Sequence, residues 1–375
     1  MPNLIQTIFQ KGISSIFKKD DGESVIGVDI GSSAVKIVQL KKKNGKATLE
    51  TYGALAYGPY VKAEVGQSVA VNVDVLSQAI NDLLREANTT TKNGAIAIPS
   101  SASLIFTISL PESVTEDQLP NIIPTEARKY IPVPITEVAL DWWMMPRQAE
   151  SIEDENENGG KLPDGKIEVL VVAIHNDTLA KYRDILVKTD IHSNFFEMEI
   201  FSSLRSTFGH ELSPVLLIDF GAQKTKLSIV EFGIIKTFHI INRGAQDLTT
   251  SIAASFGIPF KDAEQQKRDV GLRADINKQV ASLNEISIDY IISETKSVVL
   301  AYEKKYNRSV GKIIMTGGGA LLKGLHDKIS KTFEAEVIYG NPFGKMETPA
   351  FLSPVLAESG PEFAVAVGLA LRQIS

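Results

Sequence analysis

Two stretches of this sequence repeat one pattern of strands and turns, and this repetition constrains the fold more than any other feature. Each stretch predicts three consecutive strands, and an Asp-x-Gly turn joins the first two, at residues 29–31 and 219–221. The predicted strands cover residues 25–30, 34–41 and 48–56 in the first stretch and residues 215–219, 226–232 and 234–240 in the second. An internal duplication explains this match most simply, so we expect two similar α/β domains.

Both turns have the composition of an anion-binding hairpin. A Gly beyond the Asp lets backbone N–H groups approach a phosphate, and nearby hydroxyls add donors. The candidate residues are Asp29, Gly31, Ser32 and Ser33 in the first turn, and Asp219, Gly221 and Thr225 in the second. Mg²⁺ prefers one or two carboxylates with water and phosphate oxygens, so the two aspartates are candidate metal ligands facing each other across a cleft. One Asp-x-Gly is a common turn, but two equivalent copies predict a shared site.

A third candidate contact is the run Gly317, Gly318 and Gly319, which precedes a helix predicted at 320–333. Glycines let a nucleotide lie against bare backbone at a helix N-terminus, where the helix dipole favours negative charge. The alternative is an ordinary flexible loop, although three adjacent glycines cost backbone entropy. Lys36, on the strand that leaves the first turn, is either a phosphate contact or a solvated strand residue.

The segment between the two repeats has a different pattern. Strands are predicted at 104–110, 138–145 and 167–174, and helices at 116–130 and 177–188. This predicts a small αβ module inserted in the larger fold. Residues 151–165 within it are acidic and Gly-rich, which predicts a surface loop. Elsewhere, helices are predicted at 73–88, 198–208, 245–256, 261–271, 282–306 and 362–371.

Length and composition limit the classes of function. A chain of 375 residues is long enough for two domains or more. The formal net charge of -6 and the lack of a large Lys/Arg cluster argue against nucleic acid as a partner. The chain has no cysteine, which excludes disulfides and thiolate metal sites. We find no apolar run of about 18 residues and no secretory signal, so the expected location is cytoplasmic.

Residues 1–24 predict an amphipathic helix, because apolar residues recur at helical spacing and lysines lie among them. Such a helix docks on a membrane surface or a partner, or it folds back on its own domain. The same apolar stripe serves both roles, so the sequence leaves the choice open.

The order of the three loops resembles the superfamily of actin, sugar kinases and DnaK-type ATPases. The resemblance implies an α/β, actin-like ATPase fold, in which two ribonuclease-H-like domains hold ATP and Mg²⁺ in the cleft between them. It places Glu264 and Lys267 where relatives contact ribose and adenine, and the alternative is an exposed charged helix face. Glu199 is the candidate catalytic residue that would position water opposite the γ-phosphate, and the alternative is a favourable acid in a first helical turn.

Within this superfamily the chain resembles the PilM family, which is related to the cell-division protein FtsA. The segments that carry the resemblance read IGVDIGSS at 26–33, EARKYIPVP at 126–134 and EVALDW at 137–142. The resemblance runs from about residue 24 to residue 375 and leaves out the N-terminal extension and the acidic loop.

The resemblance also implies a division into domains. The first ribonuclease-H-like domain would comprise residues 25–95, completed by residues 191–213 and 344–375. The inserted αβ subdomain would comprise residues 96–190. The second ribonuclease-H-like domain would comprise residues 214–343, with a small subdomain at about 243–310.

The function implied is an ATP-binding scaffold of the type IV pilus inner-membrane assembly complex, cytoplasmic and peripheral to the inner membrane. It would bind the N-terminal cytoplasmic tail of a bitopic PilN-like membrane protein in a groove along the inserted subdomain. Tyr130, Ile131 and Trp142 are apolar candidates for this groove, or else core residues. Pilus motor ATPases and a second copy of the chain are further candidate partners. ATP would act as a structural or switching ligand with slow or absent hydrolysis.

Other functions fit parts of the same pattern. A DnaK-type chaperone would need a large peptide-binding domain after the ATPase unit. A sugar kinase shares all three loops but would need a carboxylate base beside a polar sugar pocket. An FtsA-like, membrane-associated filament-forming protein is the nearest alternative. FtsA relatives carry a C-terminal amphipathic anchor, for which the N-terminal helix predicted here could substitute.

Overall fold

The structure is a computed structural model that describes residues 22–145, 166–209 and 211–374. The predicted N-terminal helix, apart from its last three residues, and the predicted acidic loop at 151–165 lie outside the described residues.

The strands of the described chain form three sheets. In chain order they are β1 (Ser24–Ile30), β2 (Ala34–Lys43), β3 (Lys46–Ala56), β4 (Gly94–Ile98), β5 (Ser103–Pro111), β6 (Val138–Met144), β7 (Lys166–His175), β8 (Glu197–Met198), β9 (Val215–Phe220), β10 (Thr225–Glu231), β11 (Ile234–Ile241), β12 (Lys312–Thr316) and β13 (Glu336–Tyr339). The first sheet has the order β3-β2-β1-β4-β8, the second sheet β11-β10-β9-β12-β13, and the third sheet β5-β7-β6.

The first and second sheets have the same topology. In each, an antiparallel meander of three strands is followed by two parallel strands. The register matches residue by residue, because Asp29 lies opposite Lys36 in one hairpin and Asp219 lies opposite Lys226 in the other. This agreement is what the repeated sequence pattern predicts, and the two sheets are the α/β halves of the fold.

The helices cover the faces of the sheets. They are α1 (Gly58–Val61), α2 (Val73–Glu86), α3 (Leu119–Ala127), α4 (Asn176–Thr189), α5 (Glu199–Thr207), α6 (Ala245–Phe256), α7 (Phe260–Val270), α8 (Lys278–Tyr306), α9 (Leu325–Thr332), α10 (Ser353–Ser359) and α11 (Ala364–Ile374). The caps set several of their ends. The Asn72 side chain accepts a hydrogen bond from Val75 N–H at the start of α2, and Asn277 caps α8 in the same way.

The third sheet is inserted between β4 and β8 of the first sheet. Helix α3 packs on one face of the third sheet, and Ile123 is fully buried there. The other face turns toward the second sheet, where buried Glu168 lies 3.2 Å from the Lys305 ammonium and 3.9 Å from that of Lys236. The chain therefore leaves the first sheet, builds the module, and returns. This path agrees with an inserted module, and the exact bounds of the domains stay a prediction.

Helix α11 is the central helix of the first half. The stretch Ala350–Ile374 is long and apolar enough to cross a membrane by length and composition, but 67% of its most apolar 18-residue window is buried inside the protein. Helix α11 packs against β1, β2, β4 and α5, so its apolar composition is that of a core helix.

Two predicted helices differ from the structure. The helix predicted at 320–333 is wrong in its first part, because Gly324 adopts φ +82° and the α-helix starts only at Leu325. The helix predicted at 116–130 is a short 3-10 turn followed by α3 (Leu119–Ala127).

Candidate functional site

A cleft of about 710 Å³ opens between the two halves, and both Asp-x-Gly hairpins and the glycine run line it. Every predicted site residue except Thr225 belongs to its lining. These residues are Asp29, Gly31, Ser32, Ser33, Lys36, Glu199, Asp219, Gly221, Glu264, Lys267, Gly317, Gly318 and Gly319. The structure therefore brings together groups that are almost 300 residues apart in the sequence.

The two hairpins are built alike. Gly31 N–H donates to the Ala34 carbonyl at 3.0 Å, and Gly221 N–H donates to the Lys224 carbonyl at 3.0 Å. A Cβ added at either glycine would lie 2.9 Å from that same carbonyl oxygen. The tight turn thus requires glycine on both sides of the cleft, and it leaves bare backbone facing the cavity.

The glycine run packs against the second hairpin. Gly317 has φ +80°, and a Cβ there would lie 2.5 Å from Asp219 Oδ1. A Cβ at Gly319 would lie 2.8 Å from the ring of Phe220. Because Gly318–Leu321 is a 3-10 turn, the predicted α-helix N-terminus is not at this run. Close packing, and not a helix dipole, accounts for the glycines.

Asp29 is the most perturbed acid in the cleft. Its side chain is buried, and burial raises the pKa of Asp29 from 3.8 to about 6. Lys36 and Lys226 oppose this rise, whereas the nearby charges of Glu199 and Asp219 add to it. A carboxyl group kept in such surroundings is typical of a functional site.

Lys226 joins the two halves at the cleft floor, and the sequence reasoning missed it. Its Nζ lies 3.0 Å from Asp219 Oδ2 in the second half and 2.9 Å from Glu199 Oε1 in the first. Burial disfavours the charged amine, but the two carboxylates outweigh burial and raise the pKa of Lys226. The register signal was available, since Lys226 lies opposite Asp219 as Lys36 lies opposite Asp29.

Glu199 is the first residue of α5, with only 6% of its surface exposed. Its Oε1 accepts a hydrogen bond from Ser100 N–H at 2.7 Å in addition to the bond from Lys226. The Glu199 side chain is therefore held from both sides at the floor of the cleft.

Glu264 and Lys267 are buried, so the alternative of an exposed charged face on α7 is wrong. Glu264 accepts hydrogen bonds from Lys267 at 2.6 Å and from Thr249 at 2.6 Å. Burial would raise the pKa of Glu264, but Lys267, Thr249 and Arg268 together lower it. Burial lowers the pKa of Lys267, and Glu264 offsets part of that effect. The pair forms one polar wall of the cleft.

Thr225 is the one predicted site residue that the structure does not bring to the cleft. Its hydroxyl is fully buried and donates to the Arg243 carbonyl at 2.9 Å. The alternation of β10 explains this, because Lys226, the next residue along the strand, points the other way and reaches the cleft.

The carboxylates fit a hydrated Mg²⁺ in part. Among residues 22–145, 166–209 and 211–374 no group of three or more acidic or histidine side chains could hold a metal alone. Mg²⁺ bound with nucleotide needs only one or two carboxylates, and Asp29 has no ion pair within 4.0 Å in the described chain. Asp219 already carries one cation, Lys226. The residues thus fit a hydrated ion beside Asp29.

The three apolar candidates for a partner groove have different surroundings. Ile131 is buried in the core of the inserted module, and Trp142 packs against the same core. Tyr130 is 48% exposed and stacks on Phe106 at 4.8 Å between ring centroids. Tyr130 is therefore the one of the three whose ring is largely exposed to solvent.

The duplicated sheets and the cleft between them define an actin-like ATPase fold. The sequence profile of the family described as type IV pilus assembly protein PilM matches residues 27–374, and the chain belongs to this family. Among solved structures, a PilM-PilN type IV pilus biogenesis complex matches with a TM-score of 0.77 and 24% identity, over 94% of this chain and 98% of that one.

More distant relatives share the fold. The cell division protein FtsA of Enterococcus faecalis (strain ATCC 700802 / V583) is 20% identical over 357 residues, 83% of this chain and 77% of its own length. The ethanolamine utilization protein EutJ from Carboxydothermus hydrogenoformans matches with a TM-score of 0.54 and 13% identity, over 93% of this chain and 89% of that one. MreB5 of Spiroplasma citri bound to ADP matches with a TM-score of 0.51 and 13% identity, over 93% of this chain and 95% of that one.

Proposed function

We propose that this protein is an ATP-binding scaffold of the type IV pilus assembly machinery. One observation carries the proposal: both Asp-x-Gly hairpins and the glycine run line a single cleft of about 710 Å³. Backbone N–H groups of the hairpins would hold the phosphates, with Ser32, Ser33 and Lys36 as further donors. The wall formed by Glu264 and Lys267 would face the ribose and adenine. Membership of the PilM family supports the pilus role.

Mg²⁺ would enter the cleft with the nucleotide. When bound, it would neutralise charge on the phosphates. Asp29 would hold it, directly or through water, and Asp219 would do so where Lys226 leaves room. The chain's own groups would fix the phosphates by backbone donors, and Glu199 would face the terminal phosphate. We expect hydrolysis to be slow or absent, so that ATP acts by favouring a closed arrangement of the two halves.

The partner in this proposal is the N-terminal cytoplasmic tail of a PilN-like membrane protein. The support is the similar protein that was solved as a PilM-PilN complex. The tail would bind along the inserted module, where the Tyr130 ring is exposed and β5 and β6 are edge strands of the third sheet. Such binding would place the protein at the cytoplasmic face of the inner membrane. Pilus motor ATPases and a second copy of this chain are further proposed partners.

A peptide-binding assay tests the scaffold role. A fluorescent synthetic peptide of the PilN-like protein's cytoplasmic tail should bind the full-length protein saturably. Tyr130→Ala should weaken binding at least tenfold, which corresponds to about 1.4 kcal/mol. Tyr290→Ala is the matched control, since Tyr290 is 50% exposed on α8 and lies outside the inserted module. Equal affinity of both variants would reject the groove, and no binding to the wild type would reject the partner.

An FtsA-like role is the second candidate, because the curated FtsA relative aligns over 83% of this chain. A protein of that kind would form filaments on membranes. Sedimentation with ATP and lipid vesicles separates the two functions: filaments that pellet without any PilN-like peptide would favour the FtsA-like role, whereas a soluble protein that binds the peptide would favour the pilus scaffold.

A further inference from the structure

We propose that Lys226 is a lock across the cleft floor: it ties Glu199 of the first half to Asp219 of the second, and so keeps bound ATP from being hydrolysed. The inference rests on the proposed ATP site and deepens it by naming what controls turnover there. Because of Lys226, the protein would bind ATP without hydrolysing it.

The geometry of Glu199 is the first support. In ATP hydrolysis, water attacks the γ-phosphorus, the bond between the γ-phosphorus and the β–γ bridging oxygen breaks, and the proton of the water passes to a carboxylate or to phosphate. A carboxylate that assists needs a free lone pair directed at the water. Here Glu199 Oε1 already accepts from Ser100 N–H at 2.7 Å and from the Lys226 ammonium at 2.9 Å, so Oε1 is occupied and the orientation of the carboxylate is fixed by groups other than the water. Assistance by Oε2 would require the carboxylate to turn toward the water, which the Lys226 contact opposes.

The burial of the bridge is the second support. The side chains of Lys226 and Glu199 are 16% and 7% exposed, and that of Asp219 is 17% exposed. Water therefore screens these charges little, and removing one partner would leave the others unpaired in a poorly solvated place. Breaking the bridge therefore costs free energy, which favours the arrangement in which Glu199 and Asp219 both contact Lys226.

The comparison with the first hairpin is the third support. Lys36 occupies the equivalent register position opposite Asp29, lines the same cleft, and has no ion pair within 4.0 Å in the part of the chain that the structure describes. The duplicated hairpins thus carry equivalent lysines with different roles: Lys36 is available to a phosphate, whereas Lys226 is committed to carboxylates from both halves.

The test compares Lys226→Met with Lys36→Met, since each removes one positive charge from the cleft. In full-length protein saturated with ATP and MgCl₂, Lys226→Met should raise phosphate release per bound ATP at least tenfold over the wild type. Adding Glu199→Gln to that variant should abolish the gain. Lys36→Met should weaken ATP affinity without raising turnover. Lys226→Gln also removes the charge, should raise phosphate release in the same direction, and serves if Lys226→Met does not fold.

The possible outcomes distinguish failure of the proposed Lys226 lock from failure of the proposed ATP site. Turnover of Lys226→Met that is equal to or below that of the wild type, with ATP still bound, overturns the lock. A wild type that binds no adenine nucleotide overturns the proposed function and the claim about turnover with it. The bridge itself is then judged by hydrogen exchange in nucleotide-free protein, where Glu199–Thr207 should exchange faster in Lys226→Met than in Lys36→Met. Equal exchange would reject the bridge as well.

Discussion

At the scale of single residues, several charged side chains are buried together at the floor of the cleft, and their burial opposes folding. Asp29, Glu199 and Asp219 are acids from two halves of the chain, and Lys226 is the cation that lies among them. Taking charges out of water costs free energy even when they are paired. A cluster of this kind is typical of a functional site and is what the proposed nucleotide site would require.

Asp29 provides a pH-dependent test of this cost. Its pKa rises on folding from 3.8 to about 6, so the folded state holds the proton more tightly than the unfolded chain. The contribution of Asp29 to stability is therefore lost as the pH rises from the unfolded pKa of 3.8 through the folded pKa of about 6, and the loss is complete at higher pH. In metal-free protein, Asp29→Asn should raise the free energy of unfolding at pH 7.5 by about 1–3 kcal/mol. Urea unfolding measures this gain.

The gain from Asp29→Asn should be smaller at pH 5, because part of the wild-type Asp29 is protonated there. The exposed Asp269 on α7 is the control, and Asp269→Asn should change stability little at either pH. A loss of stability in Asp29→Asn at pH 7.5, or a gain that does not depend on pH, would contradict the cause assigned to the pKa shift.

At the scale of elements, the close approach of α11 to its neighbours holds the first half together. A Cβ at Gly368 would lie 1.8 Å from the Ser202 carbonyl oxygen on α5, and one at Gly27 would lie 1.9 Å from the Ala366 carbonyl oxygen on α11. Backbone atoms cannot move aside as a flexible side chain can, so both glycines are required by packing.

Gly368→Ala should therefore force α11 away from α5 and lower the free energy of unfolding by about 1–3 kcal/mol or more. Thermal unfolding measures this effect. Gly209→Ala is the control, because a Cβ there would meet only the Glu211 side chain at 3.4 Å. Equal melting temperatures of the two variants would show that α11 and α5 are not packed as described.

Sequence patterns predicted the strands well where the side chains alternate or are continuously apolar. The strands of both meanders were predicted within two residues at every end. Strand β13 (Glu336–Tyr339) was missed because it is short and only partly buried, so its pattern carries little information. Strand β8 (Glu197–Met198) is defined only by its pairing with β4.

The candidate site was predicted from the turns, and its gaps have a structural cause. Gly31 and Gly221 could be predicted from the sequence because a tight turn needs glycine at these positions. The position of Lys226 opposite Asp219 follows from the register of the hairpin, but its contact with Glu199 forms only when the two halves pack together and leaves no local sequence pattern. Thr225 was predicted from its hydroxyl alone, without the alternation that turns it into the core.

At the scale of the whole molecule, several contacts connect the second half to the rest of the described chain. Glu199 and Lys226 meet at the floor of the cleft, and Ser68 N–H donates to the Gln246 side chain. The inserted module reaches the second half where Glu168 contacts Lys305. The module also supplies Tyr182 of α4 to the cleft lining. If the proposed partner binds the module and the proposed nucleotide binds the cleft, both would act on the same arrangement of halves, and we expect their binding to be coupled.

The most direct test of the account is calorimetric titration of ATP with MgCl₂ into the full-length protein. We predict saturable binding at one site per chain. Gly31→Ala and Gly221→Ala should each weaken binding at least tenfold, because each distorts one of the two hairpins that face the cleft. Absence of ATP binding by the wild type, or unchanged affinity in both variants, would contradict a nucleotide site built from two equivalent hairpins.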